Sequence, residues 1–86
     1  MGNQVTDKGC GWDAIDEFGS LAEYRRFHEW IKGQVTSGLA ASVPVTKPYS
    51  GSVLWDEHWF KCLRDDQTWR LVGPDPPFRG IFKVVT

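Results

Sequence analysis

The chain has 86 residues, ten basic and eleven acidic side chains, a net charge of −1, two cysteines and five tryptophans. A chain of this length buries roughly 60% of the surface its unfolded form exposes, enough for one core and not two, so a single domain over 1–86 is expected. Both charge signs are spread along the chain without a basic stripe, which argues against nucleic-acid binding, and no run approaches the ~20 apolar residues of a membrane span.

The cysteines, Cys10 and Cys62, are too few for the disulfide framework of a small secreted domain, and no apolar stretch at the start resembles a signal peptide. A reducing cytoplasm is the expected compartment, with Cys62 a small buried hydrophobe. The opening Met1-Gly2-Asn3-Gln4-Val5-Thr6 matches the loose myristoylation pattern through Gly2 and Thr6; a plain polar terminus is the default reading.

Residues 1–19 carry glycine at 2, 9, 11 and 19 and little periodicity, so they read as irregular, with a turn of helix around Asp13 to Phe18 and anchors at Trp12 and Phe18. Ser20-Leu21-Ala22-Glu23 has the capping-box form, which starts a helix at Leu21. Leu21, Tyr24, Phe27, Ile31 and Val35 then recur at helical spacing with His28 and Gln34 alongside, and Arg25, Arg26, Glu29 and Lys32 fall outside that stripe. Gly33 weakens the last turns and Gly38 suits a C-terminal cap, so the helix occupies 20–37 and ends between Gly33 and Ser37.

Between Leu39 and Ser52 the one strand candidate is Ser42 to Thr46, which Pro44 confines to a sheet edge. From Val53 to Leu63 the chain alternates, as do Thr68 to Val72 and Ile81 to Val85. Aligning Lys61, Arg70 and Lys83 on one face leaves Phe60, Cys62, Trp69, Leu71, Phe82 and Val84 on the other, which becomes the core beneath the helix. The connection Arg64 to Gln67 makes the first two of these strands a hairpin, and the third returns beside them. The fold class expected is α+β: one main helix packed on a three- to four-stranded antiparallel sheet over 53–86.

This register places Trp55 and Trp59 on the outer face with Ile81 and Val85. Two exposed indoles are costly, so either the N-terminal segment with Trp12 folds over them or another chain does. Asp56 and His58 converge on one side of their strand while Glu57 points away. They form a carboxylate–imidazole pair that would meet Tyr24 or His28 in a pocket between helix and sheet; a structurally paired or solvated role is the commoner fate of such groups. Cys10, His28, His58 and Cys62 equal in number a zinc ligand set but lack its spacing, so no metal, cofactor or catalytic residue is assigned. Pro74-Asp75-Pro76-Pro77 is a stiff loop bracketed by Gly73 and Gly80, in which Asp75 and Arg79 would pair across the loop, or Phe78 and Arg79 form a rim for a partner.

The runs Trp59-Phe60-Lys61-Cys62, Trp69-Arg70-Leu71 and Pro74-Asp75-Pro76-Pro77-Phe78-Arg79-Gly80-Ile81-Phe82 resemble the C-terminal part of small bacterial proteins found on mobile gene cassettes and near toxin–immunity loci. About a third of the chain shares in it. The resemblance implies an accessory protein of a mobile element and supplies no catalytic residue. Some members carry a C-x-x-C pair starting at the position of Cys62; here Asp65 stands second, so the metal binding it would imply is not carried over.

Two functions compete. The first is a non-enzymatic protein-binding or immunity-type module that uses Trp55, Trp59, Phe78 and Arg79 as its contact surface toward a protein partner or a second copy in a homo-oligomer. The second is a small-molecule binder or enzyme with its pocket at Asp56, His58, Tyr24 and His28.

Overall fold

The computed structural model describes residues 9–85. Helix α1 runs over Leu21–Thr36, and strands β1 (Ala40–Val43), β2 (Glu57–Cys62), β3 (Thr68–Val72) and β4 (Ile81–Val84) form one antiparallel sheet in the order β1-β2-β3-β4. The Gly2 and Thr6 pattern lies outside the described residues.

The ends of α1 follow from its caps. Ser20 is extended and its hydroxyl accepts from the Glu23 amide at 3.1 Å, satisfying one of the unpaired donors of the first turn. The Glu23 carboxylate reaches one residue further back than the standard box and accepts from the Gly19 amide at 2.6 Å. At the other end Gly38 takes φ +83°, its amide donates to Val35 and the Leu39 amide donates to Gln34, the paired bonds of a Schellman stop. Of the predicted stripe, Tyr24 and Ile31 are buried and Phe27 and Val35 half-buried, but Leu21 at the first turn is half exposed.

The helix-side core comprises Trp12, Phe18, Tyr24, Ile31, Ala40, Phe60, Cys62, Trp69, Leu71 and Phe82, with Val84 packed against it. The strand parity therefore places these sheet residues as expected. Trp69 stacks on Phe82 at 4.7 Å, and Trp12 meets both rings edge-on or tilted at 5.9 Å, contacts worth about 0.5–1.5 kcal/mol each beyond burial.

Several expectations are corrected. Residues 13–18 form no helix: Ile15 exchanges two backbone hydrogen bonds with Phe82 of β4 and extends the sheet there. The edge strand lies at Ala40–Val43, ending just before Pro44, whose ring nitrogen carries no donor. Strand β2 begins at Glu57, so Trp55 belongs to the connection before it. Cys10 and Cys62 form a disulfide, which replaces the free buried thiol expected of Cys62 and removes both cysteines from any zinc site. Nothing in a sequence separation of 52 marks them as partners; they meet because Cys62 sits on the helix-side face and Trp12 draws the N-terminal segment across that face.

The outer face is the largest departure. Trp59 is only 7% exposed, and Val72 and Ile81 are buried. Neither the N-terminal segment nor a second chain is needed to cover them, because the connection 44–56 folds back over this face and Trp12 lies on the other. Glu57 pins the connection. Its carboxylate accepts from the Tyr49 amide at 2.8 Å and from Trp59 Nε1 at 2.7 Å, and stands 3.3 Å from Arg70 Nε. The Arg70 guanidinium in turn lies over the rings of Tyr49 and Trp59 and donates to the Lys47 carbonyl. A carboxylate whose side chain is 4% exposed is tolerable only with this density of donors around it.

Candidate functional site

The turn spacing of α1 puts Tyr24 and His28 one above the other on the helix face that meets β2. Strand parity puts His58 on that same side, opposite Leu71, while Glu57 serves the outer face. Asp56, just before β2, is held by its own backbone: its carbonyl accepts from the Gly73 amide at 2.8 Å. The four residues predicted as a pocket group are thus brought together. The Tyr24 hydroxyl donates to Asp56 Oδ2 at 3.0 Å, Asp56 Oδ1 lies 2.9 Å from His58 Nε2, and the rings of His58 and His28 approach to 4.6 Å between centroids.

Burial and the adjacent Asp56 carboxylate push the Tyr24 phenol well above its ordinary value, so it acts as a fixed hydrogen-bond donor. His28 is shifted the other way: desolvation lowers it first, and the neighbouring His58 and Lys32 add to the effect. The neutral imidazole of His28 is accordingly the favoured form, with the His58 ring tilted against it.

These groups do not enclose a deep cavity. His28 and His58 instead open onto a solvent-facing cleft of about 490 Å³ that is also lined by Lys32, Thr36, Ser42 and Phe60. Tyr24 and Asp56 stand behind His58 and orient it without lining the cleft. Lys32, Thr36 and Ser42 are absent from the sequence-level candidates, although Lys32 and Thr36 follow His28 at i+4 and i+8 and share its helix face.

The other predicted surface is divided. Trp59 is buried and unavailable. Trp55 is half-buried and packs with Tyr49 and Phe78 in an aromatic trio, with Trp55 and Phe78 centroids 4.6 Å apart. Phe78 is half-buried and Arg79 exposed, and together with Leu21 and the three loop prolines they line a groove of about 510 Å³. The pair expected between Asp75 and Arg79 is replaced by two backbone hydrogen bonds between Asp75 and Phe78 at 3.0 Å, across a cis Pro76–Pro77 peptide. The exposed apolar residues at the turn of the 44–56 connection, Val53 at 82% and Leu54 at 89%, drew no notice in the sequence because the strand pattern absorbed them.

Among the described residues no group of His, Cys, Asp and Glu has the arrangement of a metal centre, and no helix is long and apolar enough to cross a membrane. No family model, curated protein or solved structure matches the chain.

Proposed function

We propose that the chain is a small non-enzymatic binding module whose ligand sits in the cleft beside His28 and His58. The observation that carries this reading is the convergence of two imidazoles on one cleft, one of them oriented by a Tyr24–Asp56 relay. Orienting a half-exposed histidine through two further side chains is more than packing requires. A binding role is favoured over catalysis because His58 hydrogen-bonds Asp56 and no serine or threonine hydroxyl, so the nucleophile of a hydrolytic constellation lacks its activating contact among the described residues. The test is an amide NMR screen with small polar fragments. Shifts confined to His28, Ser42 and His58, and weakened in His58→Gln, support the reading; a library that leaves those signals unmoved overturns it.

A second reading, an accessory protein of a mobile element that binds a protein partner or a second copy, keeps support from a different observation. Val53 and Leu54 are exposed in the turn directly before Trp55, whose ring packs with Tyr49 and Phe78, and so form an apolar contact point anchored on that aromatic trio. Light scattering separates a 9.8 kDa monomer from a dimer, and Leu54→Asp dissolves any dimer built on this turn. As to compartment, the Cys10–Cys62 disulfide favours an oxidising environment over the reducing cytoplasm that the cysteine count suggests.

A further inference from the structure

The polar side chains lining the His28–His58 cleft are His28, Lys32 and Thr36 from α1, Ser42 from β1 and His58 from β2; the Thr36 hydroxyl donates to the Lys32 carbonyl at 3.2 Å, and the other four offer a hydrogen-bond donor or gain one on protonation. Among the described residues no carboxylate lines it. The two acidic groups nearby are engaged elsewhere, Asp56 with Tyr24 and His58, and Glu29 with Lys32 at 2.9 Å. That last pair is solvent-exposed on both sides and therefore weakly held, leaving the Lys32 ammonium free to turn toward the cleft. On a chain of net charge −1, a concavity with this one-sided lining is a local reversal of character.

We infer that the cleft is an oxyanion site, taking the phosphate or carboxylate group of a small molecule and binding it together with a proton. This rests on the ligand-binding reading above and gives the ligand its chemistry. The proton follows from geometry. Asp56 occupies Nε2 of His58, so in the neutral ring the remaining nitrogen is an acceptor and repels an anion. Adding a proton turns that nitrogen into a donor and gives the ring a charge that Asp56 balances from behind. His28, 4.6 Å away by ring centroid, cannot share that charge cheaply unless an anion lies between the pair and solvent. The charged and titratable groups facing His28 are Tyr24, Glu29 and Lys32 on its own helix and Asp56 and His58 on the sheet side, and histidine is the side-chain type that takes up a proton in mildly acid solution.

Sulfate is the suitable probe because its own charge is constant across this range. Calorimetric or NMR titration in chloride-balanced buffer at about pH 5.5 and about pH 8 should show affinity falling by up to about tenfold per pH unit where one proton is taken up. His58→Gln should abolish the pH dependence and Lys32→Ala weaken binding at both values, with far-UV circular dichroism confirming that each variant is folded. Inorganic phosphate and acetate then separate the two ligand classes. Binding that is pH-independent, or that survives His58→Gln unchanged, overturns the inference. Neutral fragments that bind the cleft while sulfate, phosphate and acetate do not would overturn the oxyanion assignment and leave the binding reading standing; no response from any probe removes both.

Discussion

Reduction of the Cys10–Cys62 disulfide changes only a covalent link, and its effect can be worked from the fold. The bond joins residues 52 apart, so cutting it frees a loop of that length in the unfolded chain. The chain-entropy relation gives about 4 kcal/mol at 25 °C for a loop of this size. Against a whole-domain stability of roughly 4–13 kcal/mol for 86 residues, that is between a third and nearly all of it. The folded state loses little in compensation, since Cys62 is fully buried and a thiol there behaves as a small hydrophobe. Urea denaturation followed by tryptophan fluorescence, with and without a phosphine reductant, measures the difference directly. Free-thiol titration of the unreduced protein should find none. Two reactive thiols in that sample, or a reduced protein within about 1 kcal/mol of the oxidised one, would refute the reasoning.

Two further outcomes are expected. Glu57→Ala leaves the Tyr49 amide and Trp59 Nε1 without their acceptor and Arg70 without its ion partner on the outer face and should cost about 3 kcal/mol in the same urea assay, with Glu57→Gln costing less; a loss below about 1 kcal/mol would mean that the 44–56 connection is held by its aromatic rings and the Arg70–Lys47 hydrogen bond without the carboxylate. For His28, whose folded value lies below its ordinary 6.5, the unfolded chain binds the proton more readily. Its contribution to stability is therefore complete above pH 6.5 and is lost as pH falls from there toward the folded value; His28→Gln should flatten that slope in chemical melts run across the window, and an unchanged slope would reject the assignment.

What was legible in the sequence was local or periodic. The bounds of α1 depend on Ser20, Glu23 and Gly38, all within a few residues of the ends they fix. The helix-side core depends on strand parity, which a two-residue period fixes without knowledge of the tertiary fold. The same rules bring Tyr24, His28, Asp56 and His58 to one side of the sheet. Three things were beyond them. The cover of Trp59 comes from the connection 44–56, which Glu57 and Arg70 pin to the outer face through contacts that no sequence period reports, so parity put Trp59 on the outer face correctly but not its burial there. The disulfide joins positions with no spacing signature, and the lining residues Lys32, Thr36 and Ser42 are ordinary surface residues until the helix and β1 place them around one cleft.

The bridge between Ile15 and Phe82 bears on polymerisation. A sheet grows by accepting strands at its edges, and here the two edges are closed by different means. Strand β1 is four residues long and is followed by Pro44, which offers no donor to an incoming ladder. Strand β4 is masked by Ile15, which takes both backbone groups of Phe82. A protease that cut between Phe18 and Ser20 would leave the upstream piece covalently attached through the bond at Cys10 and otherwise held by the packing of Trp12 and Phe18, the Ile15–Phe82 hydrogen bonds and the Asp16–Lys83 ion pair. Under reducing conditions that piece could depart, and β4 would become a template for fibril growth.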